Sequence, residues 1–99
     1  MRISNQTQLT IQEAVAEIFG SEAVVSLFGS RVNDELKGGD IDLLVQSEQM
    51  VQNRQQKICQ LVARLQIRLG DQPIDVVVID PAVQRKAIHE EALRTGLKL

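Results

Sequence analysis

The sequence contains very few aromatic residues and has no excess of positive charge. Its 99 residues include no tryptophan and no tyrosine, and Phe19 and Phe28 are the only aromatic side chains. Proteins that hold single-stranded nucleic acid usually stack the bases on aromatic rings, so the composition argues against that class. The formal net charge is −2, which provides no broad positive surface for nucleic acid either. We therefore expect no direct nucleic-acid binding.

Cysteine, histidine and long apolar runs are equally scarce. The single cysteine, Cys59, cannot form an internal disulfide bond, which fits a reducing cytoplasm, and His89 alone cannot build a His/Cys zinc site. No apolar run approaches the roughly 20 residues that span a bilayer, and the N-terminus lacks a signal-peptide core. We therefore expect a cytoplasmic protein without a membrane span. It should form a single domain over 1–99, with residues 1–9 as a loose N-terminal segment.

Helical and strand periodicities alternate along the chain. Short apolar runs bounded by turn residues predict three buried strands, over 23–28, 40–46 and 74–79. Capping residues and helical spacing predict four helices. The first runs from a Thr10–Glu13 capping box to Phe19, the second covers 30–36, the third runs from Ser47 to Leu69, and the fourth covers 82–94. Residues 97–99 are expected to be a short tail. This order predicts an α/β (α+β) fold, a small sheet with helices packed on one face.

Two aspartates, one residue apart, open the second predicted strand. Because side chains alternate along a strand, Asp40 and Asp42 lie on one face, and Ile41 and Leu43 on the other. Adjacent carboxylates repel each other and are costly to bury unpaired. Mg²⁺ favours a few carboxylate oxygens together with substrate phosphates, so a metal site explains the pair. A solvated acidic edge at a strand start is the alternative interpretation.

A third aspartate, Asp75, lies within the third predicted strand and shares a face with Val77 and Ile79. An acid in an otherwise apolar strand needs a partner, which favours a third metal ligand over a surface acid. Asp80 is a weaker candidate, because a place just before Pro81 is typical of a helix cap.

Gly29 and Ser30 end the first predicted strand and begin a predicted helix. Backbone N–H groups and a hydroxyl at a helix start can hold an anion against the positive end of the helix dipole. The pair could equally be a tight turn and a helix cap without a ligand. Arg31 and Lys37 could contact a triphosphate, although a solvated side chain is the simpler interpretation of each.

The Gly29-Ser30 pair, the acids Asp40 and Asp42, and the later Asp75 resemble, in order and spacing, the nucleotidyltransferases of the DNA polymerase β superfamily. The similarity is closest to the minimal nucleotidyltransferases and extends over most of the chain. It implies a mixed sheet of three to four strands with helices on one face. The site residues implied by the resemblance are catalytic and Mg²⁺-binding Asp40, Asp42 and Asp75, with Asp75 also a candidate base, and nucleotide-binding Gly29, Ser30 and Arg31.

Two features depart from the family pattern. Nine residues separate Ser30 from Asp40, one fewer than is common, and 32–34 read Val-Asn-Asp where a small residue followed by Arg-Gly is frequent. The acids are unaffected, whereas the segment expected to hold phosphate differs.

The resemblance also implies an activity and a partner. Minimal nucleotidyltransferases are typically antitoxins paired with helical HEPN-domain RNase toxins, so this chain would transfer AMP from ATP to a tyrosine hydroxyl of such a toxin. With 99 residues, the chain has no room for the second helical region that holds the acceptor in larger relatives. Two alternatives stay open. One is an antitoxin that neutralises its partner by binding only, and the other is a nucleotidyltransferase that acts on a small molecule.

Overall fold

The computed structural model describes residues 4–28, 41–70, 73–82, 90, 93–94 and 96–99. Two helices and four strands lie within these ranges, in the order α1 (Asn5–Phe19), β1 (Val24–Phe28), β2 (Ile41–Gln46), α2 (Arg54–Leu69), β3 (Ile74–Ile79) and β4 (Leu97–Lys98). The helix predicted over 30–36 lies outside the described residues, as does most of the helix predicted over 82–94. No helix in the described ranges is long and apolar enough to cross a membrane.

The four strands form one mixed sheet in the order β3-β2-β1-β4. β1 runs antiparallel to both of its neighbours, β2 and β4, whereas β2 and β3 are parallel and are connected through α2. A parallel pair requires such a crossover connection, which explains why α2 separates the two strands in sequence. The prediction of a small mixed α+β sheet is confirmed. The fourth strand, however, lies where a short tail was expected.

Both helices pack on one face of the sheet. Alternate residues of the strands point toward them, and the resulting core combines Ile11, Ala14 and Val15 of α1 and Leu61 and Leu65 of α2 with Val25, Leu27, Ile41, Leu43, Val45, Ile74 and Val78 of the sheet. Most of these side chains are fully excluded from solvent. Burial of apolar side chains is the main stabilising contribution to such a domain, so this face defines the stable body of the protein.

The opposite face of the sheet carries a second, smaller apolar cluster. Phe28, Leu44 and Ile79 are buried there, and the partly buried Val77 and Leu93 pack against them. Leu93 comes from the segment that leads to β4. The strand residues that remain on this face include the acids discussed below.

Helix α1 begins earlier than its sequence pattern predicts. Ser4 is the N-cap, and its hydroxyl accepts a hydrogen bond of 3.1 Å from the backbone N–H of Thr7. Thr10 lies inside the helix, where its hydroxyl donates to the carbonyl of Gln6 at 2.9 Å. The predicted capping box at Thr10 is therefore wrong. The prediction of a loose segment over 1–9 is also wrong from residue 5 onward, because α1 begins there. An earlier serine satisfies the first N–H groups of the helix, which allows another turn and a half to form.

Helix α2 begins later than predicted. Ser47 does not cap it, because the Ser47 hydroxyl contacts Gln49 and the Ser47 N–H donates to the carbonyl of Ile79. The residue that precedes α2 is Asn53, in the left-handed conformation and without a side-chain cap bond. Residues 47–53 thus form a connection between β2 and α2 rather than the first turns of the helix.

Candidate active site

One end of the sheet gathers the C-terminus of β1 and the N-termini of β2 and β3. Asp42 is paired with Asp75 across the parallel strands β2 and β3, and with Phe28 across the antiparallel strands β1 and β2. Paired residues on neighbouring strands point to the same face, and adjacent strands are separated by about 4.8 Å. The two acids are therefore neighbours, although 33 positions separate them in the chain (75 − 42).

Burial identifies the face on which the two acids lie. Ile41 and Ile74, their immediate neighbours in sequence, are buried in the core beneath the helices. By alternation, Asp42 and Asp75 lie on the opposite face, where Asp42 is half-buried and Asp75 is exposed. The N–H of Ile41 donates to the carbonyl of Pro73 at 2.9 Å, which continues the β2–β3 pairing to the end of the sheet. The acid pair thus occupies a fixed, solvent-accessible position on the face of the sheet opposite α1 and α2.

Two carboxylates in this arrangement fit a divalent cation. Like charges directly opposite each other on neighbouring strands destabilise the pairing, and a hard cation with carboxylate ligands removes the repulsion. Within the described ranges, no group of three or more His, Cys, Asp or Glu side chains could hold a metal ion. The predicted third acid, Asp40, lies outside those ranges, so Asp42 and Asp75 are the part of the predicted acid cluster that the fold brings together.

The other predicted site residues also lie outside the described part of the chain. These residues are Gly29, Ser30 and Arg31. The segment 29–40 that contains them joins Phe28, the last residue of β1, to Ile41, the first residue of β2. Both flanking residues lie at the end of the sheet where Asp42 and Asp75 are paired.

Asp80, the weaker candidate, lies at the opposite end of β3 and is part of the framework. Its buried carboxylate accepts hydrogen bonds from the backbone N–H of Val51 at 2.7 Å and of Ala82 at 3.0 Å. It also forms an ion pair with Arg54 at 3.1 Å. These contacts hold the pKa of Asp80 below its usual value, chiefly through the Val51 N–H and despite the opposing effect of burial. The helix that Asp80 is predicted to cap lies mostly outside the described residues, and the bond to Ala82 is the part of that prediction that the structure describes. The sequence does not predict the contacts with Val51, in the loop before α2, and with Arg54, the first residue of α2.

The sequence patterns also do not predict β4, the strand that contains Lys98. It was assigned to a tail, whereas β4 pairs with β1 and places Lys98 opposite Ser26. Three consecutive residues of the pattern apolar-charged-apolar over 97–99 were the available signal, which is too short to predict a strand.

The fold is similar to that of a chain in a solved crystal structure. The chain matches a chain in the crystal structure of a mutant of the MntA–HpeT toxin–antitoxin pair, with a TM-score of 0.64, at 19% sequence identity, over 97% of this chain and 71% of that one. No curated protein sequence matches it at a significant level. A family model described as nucleotidyltransferase domain matches residues 10–95, which includes every strand but β4 and both helices apart from the first residues of α1. This chain belongs to the nucleotidyltransferase domain family.

Proposed function

We propose that the protein is a Mg²⁺-dependent nucleotidyltransferase that transfers AMP from ATP to a tyrosine hydroxyl of a helical HEPN-type toxin and thereby acts as its antitoxin. The observation that carries the proposal is the pairing of Asp42 with Asp75 on neighbouring parallel strands. Like charges opposite each other weaken a sheet, and a cation bound between the two carboxylates would remove that repulsion. Nucleotidyltransferases of this family typically act with divalent metals, and the two carboxylates could bind such an ion.

In this proposal, Asp40, Asp42 and Asp75 hold Mg²⁺, while Gly29, Ser30 and Arg31 bind the nucleotide. Support for the first set comes from Asp40 preceding Ile41, the first residue of β2, on which Asp42 is already positioned. Support for the second set comes from the chain direction. β1 ends at Phe28, which is paired with Asp42, and Gly29 is the next residue in the chain.

The transfer forms one P–O bond and breaks another. The acceptor hydroxyl oxygen attacks the α-phosphorus of ATP, and the bond to the departing pyrophosphate breaks. Mg²⁺ held by Asp40, Asp42 and Asp75 would neutralise phosphate charge and make the acceptor hydroxyl easier to deprotonate. Asp75 is our candidate for the base that accepts the hydroxyl proton, because it is the more exposed member of the pair and is accessible to an acceptor arriving from solvent.

Two observations support a protein acceptor on a separate chain. The fold matches that of a chain from a toxin–antitoxin pair, although at 19% identity. In addition, this chain contains no tyrosine and so cannot be its own tyrosine acceptor. An acceptor tyrosine must therefore belong to another molecule, which would approach the pair at the exposed Asp75.

The test is the intact mass of both proteins after the chain is mixed with its candidate helical partner, ATP and Mg²⁺. We expect the partner to gain one or more AMP units and to stay inactive after separation from this chain. The Asp42→Asn and Asp75→Asn variants should not modify the partner. Glu48→Gln is the matched control, because it removes an exposed carboxylate beyond the other end of β2, and it should modify the partner as the wild type does.

Two outcomes would contradict the proposal. If the mass of the partner never changes, yet wild type and both aspartate variants inhibit it equally, the protein is an antitoxin that acts by binding only. If AMP appears on a small-molecule hydroxyl and never on the partner, the acceptor class is wrong while the transferase activity stands.

A further inference from the structure

β3 is the outermost strand on one side of the sheet, and within the described ranges no strand pairs with its outer edge. Along a strand, the backbone N–H and C=O groups point alternately toward one side and toward the other. The carbonyls of Pro73 and Ile79 accept hydrogen bonds from Ile41 and Ser47, both at 2.9 Å, so they point toward β2. Val76 lies midway between Pro73 and Ile79, at an odd spacing from each, and its N–H and C=O therefore point outward. Neither group has a hydrogen-bond partner in the described part of the chain.

The open edge borders the exposed acid of the candidate site. Asp75 immediately precedes Val76 and is exposed, while Val76 and Val77 are partly exposed. Asp75 forms no ion pair with any residue that the structure describes. Ile74 and Val78 are buried, which limits the accessible stretch to residues 75–77, with Val76 at its centre. A short extended segment is the ligand that fits outward backbone groups on an accessible strand edge.

We infer that an extended segment of the partner, which carries the acceptor tyrosine, adds to the outer edge of β3 as an antiparallel strand and places the tyrosine opposite Asp75. The inference rests on the proposed function, and it names how the acceptor is held. Antiparallel pairing is the more stable kind. It lets Val76 exchange both of its outward hydrogen bonds with the residue that precedes the tyrosine.

This register positions the acceptor hydroxyl. Residues opposite each other on neighbouring antiparallel strands point to the same face, with Cβ atoms about 4.5–5.5 Å apart. The tyrosine therefore lies beside Asp75, on the face of the acid pair. Its side chain is longer than that of aspartate, so the hydroxyl extends past the carboxylate to the level of a phosphate bound through the metal ion. The two neighbours of the tyrosine point to the helix side, where Val76 packs against the main core, so they should be apolar.

Charge favours a neutral segment over a second copy of this chain at the same edge. If β3 paired with β3 of a second copy, matching the outward groups would place Val76 opposite Val76 of the copy, and Asp75 opposite Val77 of the copy. The two Asp75 side chains would then be diagonal neighbours on one face, about 7–8 Å apart. Like charges at that position oppose association. A tyrosine is uncharged at neutral pH, and its O–H can donate to the Asp75 carboxylate.

The first test uses short peptides as acceptors, at millimolar concentration, with the wild-type chain, ATP and Mg²⁺. The parent peptide has the central sequence Val-Tyr-Val, and transfer of AMP to it is followed by mass. N-methylation of the valine before the tyrosine removes the N–H that donates to the Val76 carbonyl, and it should slow transfer about tenfold or more. N-methylation of the tyrosine is the matched control. That N–H points away from β3, so the rate should change less than about threefold.

The second test changes the chain and uses the candidate helical partner as acceptor. Val76→Pro removes the outward N–H and keeps the bonds between β2 and β3, since proline is tolerated on an edge strand where the N–H faces outward. Transfer of AMP should fall about tenfold or more, while Mg²⁺·ATP affinity by titration calorimetry should stay within about twofold of the wild type. Lys98→Pro is the matched control. The Leu99 N–H donates to Val25, so the Lys98 N–H points outward from the other edge of the sheet, and this variant should transfer AMP as the wild type does.

The outcomes separate this inference from the proposal on which it rests. If the wild type and Val76→Pro modify the partner at the same rate, the proposed function stands and the docking edge is wrong. The same conclusion follows if the partner is modified but the parent peptide never is, or if N-methylation of the valine has no effect. If sedimentation shows a dimer of this chain that Val76→Pro dissociates without slowing transfer, the edge joins two copies and the inference fails. If the wild type modifies neither acceptor, the proposed function fails as well.

Discussion

Replacing Asp80 should destabilise the protein more than replacing any other acid in the described ranges. Asp80 is 4% exposed, and its two carboxylate oxygens connect three parts of the chain, which are the end of β3, the loop before α2 and the turn at Ala82. The Oδ2 atom accepts from the Val51 N–H, while Oδ1 accepts from the Ala82 N–H and from Arg54. One side chain thus accepts from two backbone N–H groups and from Nη2 of Arg54.

The magnitude follows from what each variant leaves without a partner. Asp80→Ala removes the acceptor of two backbone N–H groups, at about 1–3 kcal/mol each. The loss of the ion pair adds less, because the Arg54 side chain is 37% exposed and water can solvate it. We expect a total loss of about 3–5 kcal/mol in the free energy of unfolding. Asp80→Asn keeps one acceptor oxygen and should lose about 1–3 kcal/mol.

The assay is urea unfolding followed by far-UV circular dichroism, because the chain has neither tryptophan nor tyrosine to report by fluorescence. The pH dependence provides a second readout. The pKa of Asp80 is lower in the folded protein than its ordinary value of 3.8, so the carboxylate stabilises the fold above that pH and the stabilisation is lost as the pH falls through the folded pKa. The difference between wild type and Asp80→Asn should be constant from about pH 6 to 8 and should shrink below about pH 4.

Glu48→Gln is the control for Asp80, since it removes an exposed acid from the same loop region and should change the free energy of unfolding by less than about 0.5 kcal/mol. The reasoning is refuted if both Asp80 variants unfold within about 0.5 kcal/mol of the wild type. It is also refuted if the stability difference grows as the pH falls.

Two further predictions concern the acid pair and the first helix. Asp75→Asn should raise the free energy of unfolding of the metal-free protein by about 0.2–1 kcal/mol, because it removes a like charge opposite Asp42. An unchanged or lower stability by circular dichroism would mean that the two carboxylates do not repel. Ser4→Ala should cost about 1 kcal/mol, since the Thr7 N–H loses its acceptor. Retention of full stability in urea would show that α1 does not depend on this cap.

The strands and their faces could be predicted from sequence because each is a short apolar run bounded by turn residues. The third strand has the predicted bounds, Ile74–Ile79. The first begins one residue later than predicted, and the second agrees from Ile41 to Gln46, its described part. Alternation also indicated that Asp75 shares a face with Val77 and Ile79. Ile79 belongs to the apolar cluster on the face opposite α1 and α2, and Val77 packs against that cluster. These features are local, so periodicity was sufficient to find them.

The helix starts could not be predicted because they depend on which of several capping residues the tertiary structure uses. Ser47 has the right chemistry for a cap, but the N–H of Ser47 bonds to the end of β3. Asp80, located 29 residues from Val51, instead fixes the loop that leads into α2. No local pattern reports a contact of that range. β4 could not be predicted for a different reason, since two residues are too few to show periodicity.

The candidate site was predictable in composition but not in arrangement. Alternation placed Asp75 on one face of its strand, yet the pairing of β2 with β3 in the register that makes Asp42 and Asp75 neighbours is a tertiary property. A shift of one residue would put the two acids on opposite faces. The roles of Gly29, Ser30, Arg31 and Asp40 stay predictions, since those residues lie outside the described ranges.

The pairing of β4 with β1 has a consequence for how the protein folds. Ser26 and Lys98 are 72 positions apart (98 − 26), so the sheet is completed by a contact between early and late parts of the chain. Closing a loop of that length is entropically costly and slows folding relative to local contacts. Until it closes, one side of β1, with the sequence Val-Val-Ser-Leu-Phe, is an unpaired apolar edge. During synthesis, this edge is open to association with other chains until Lys98 has been added.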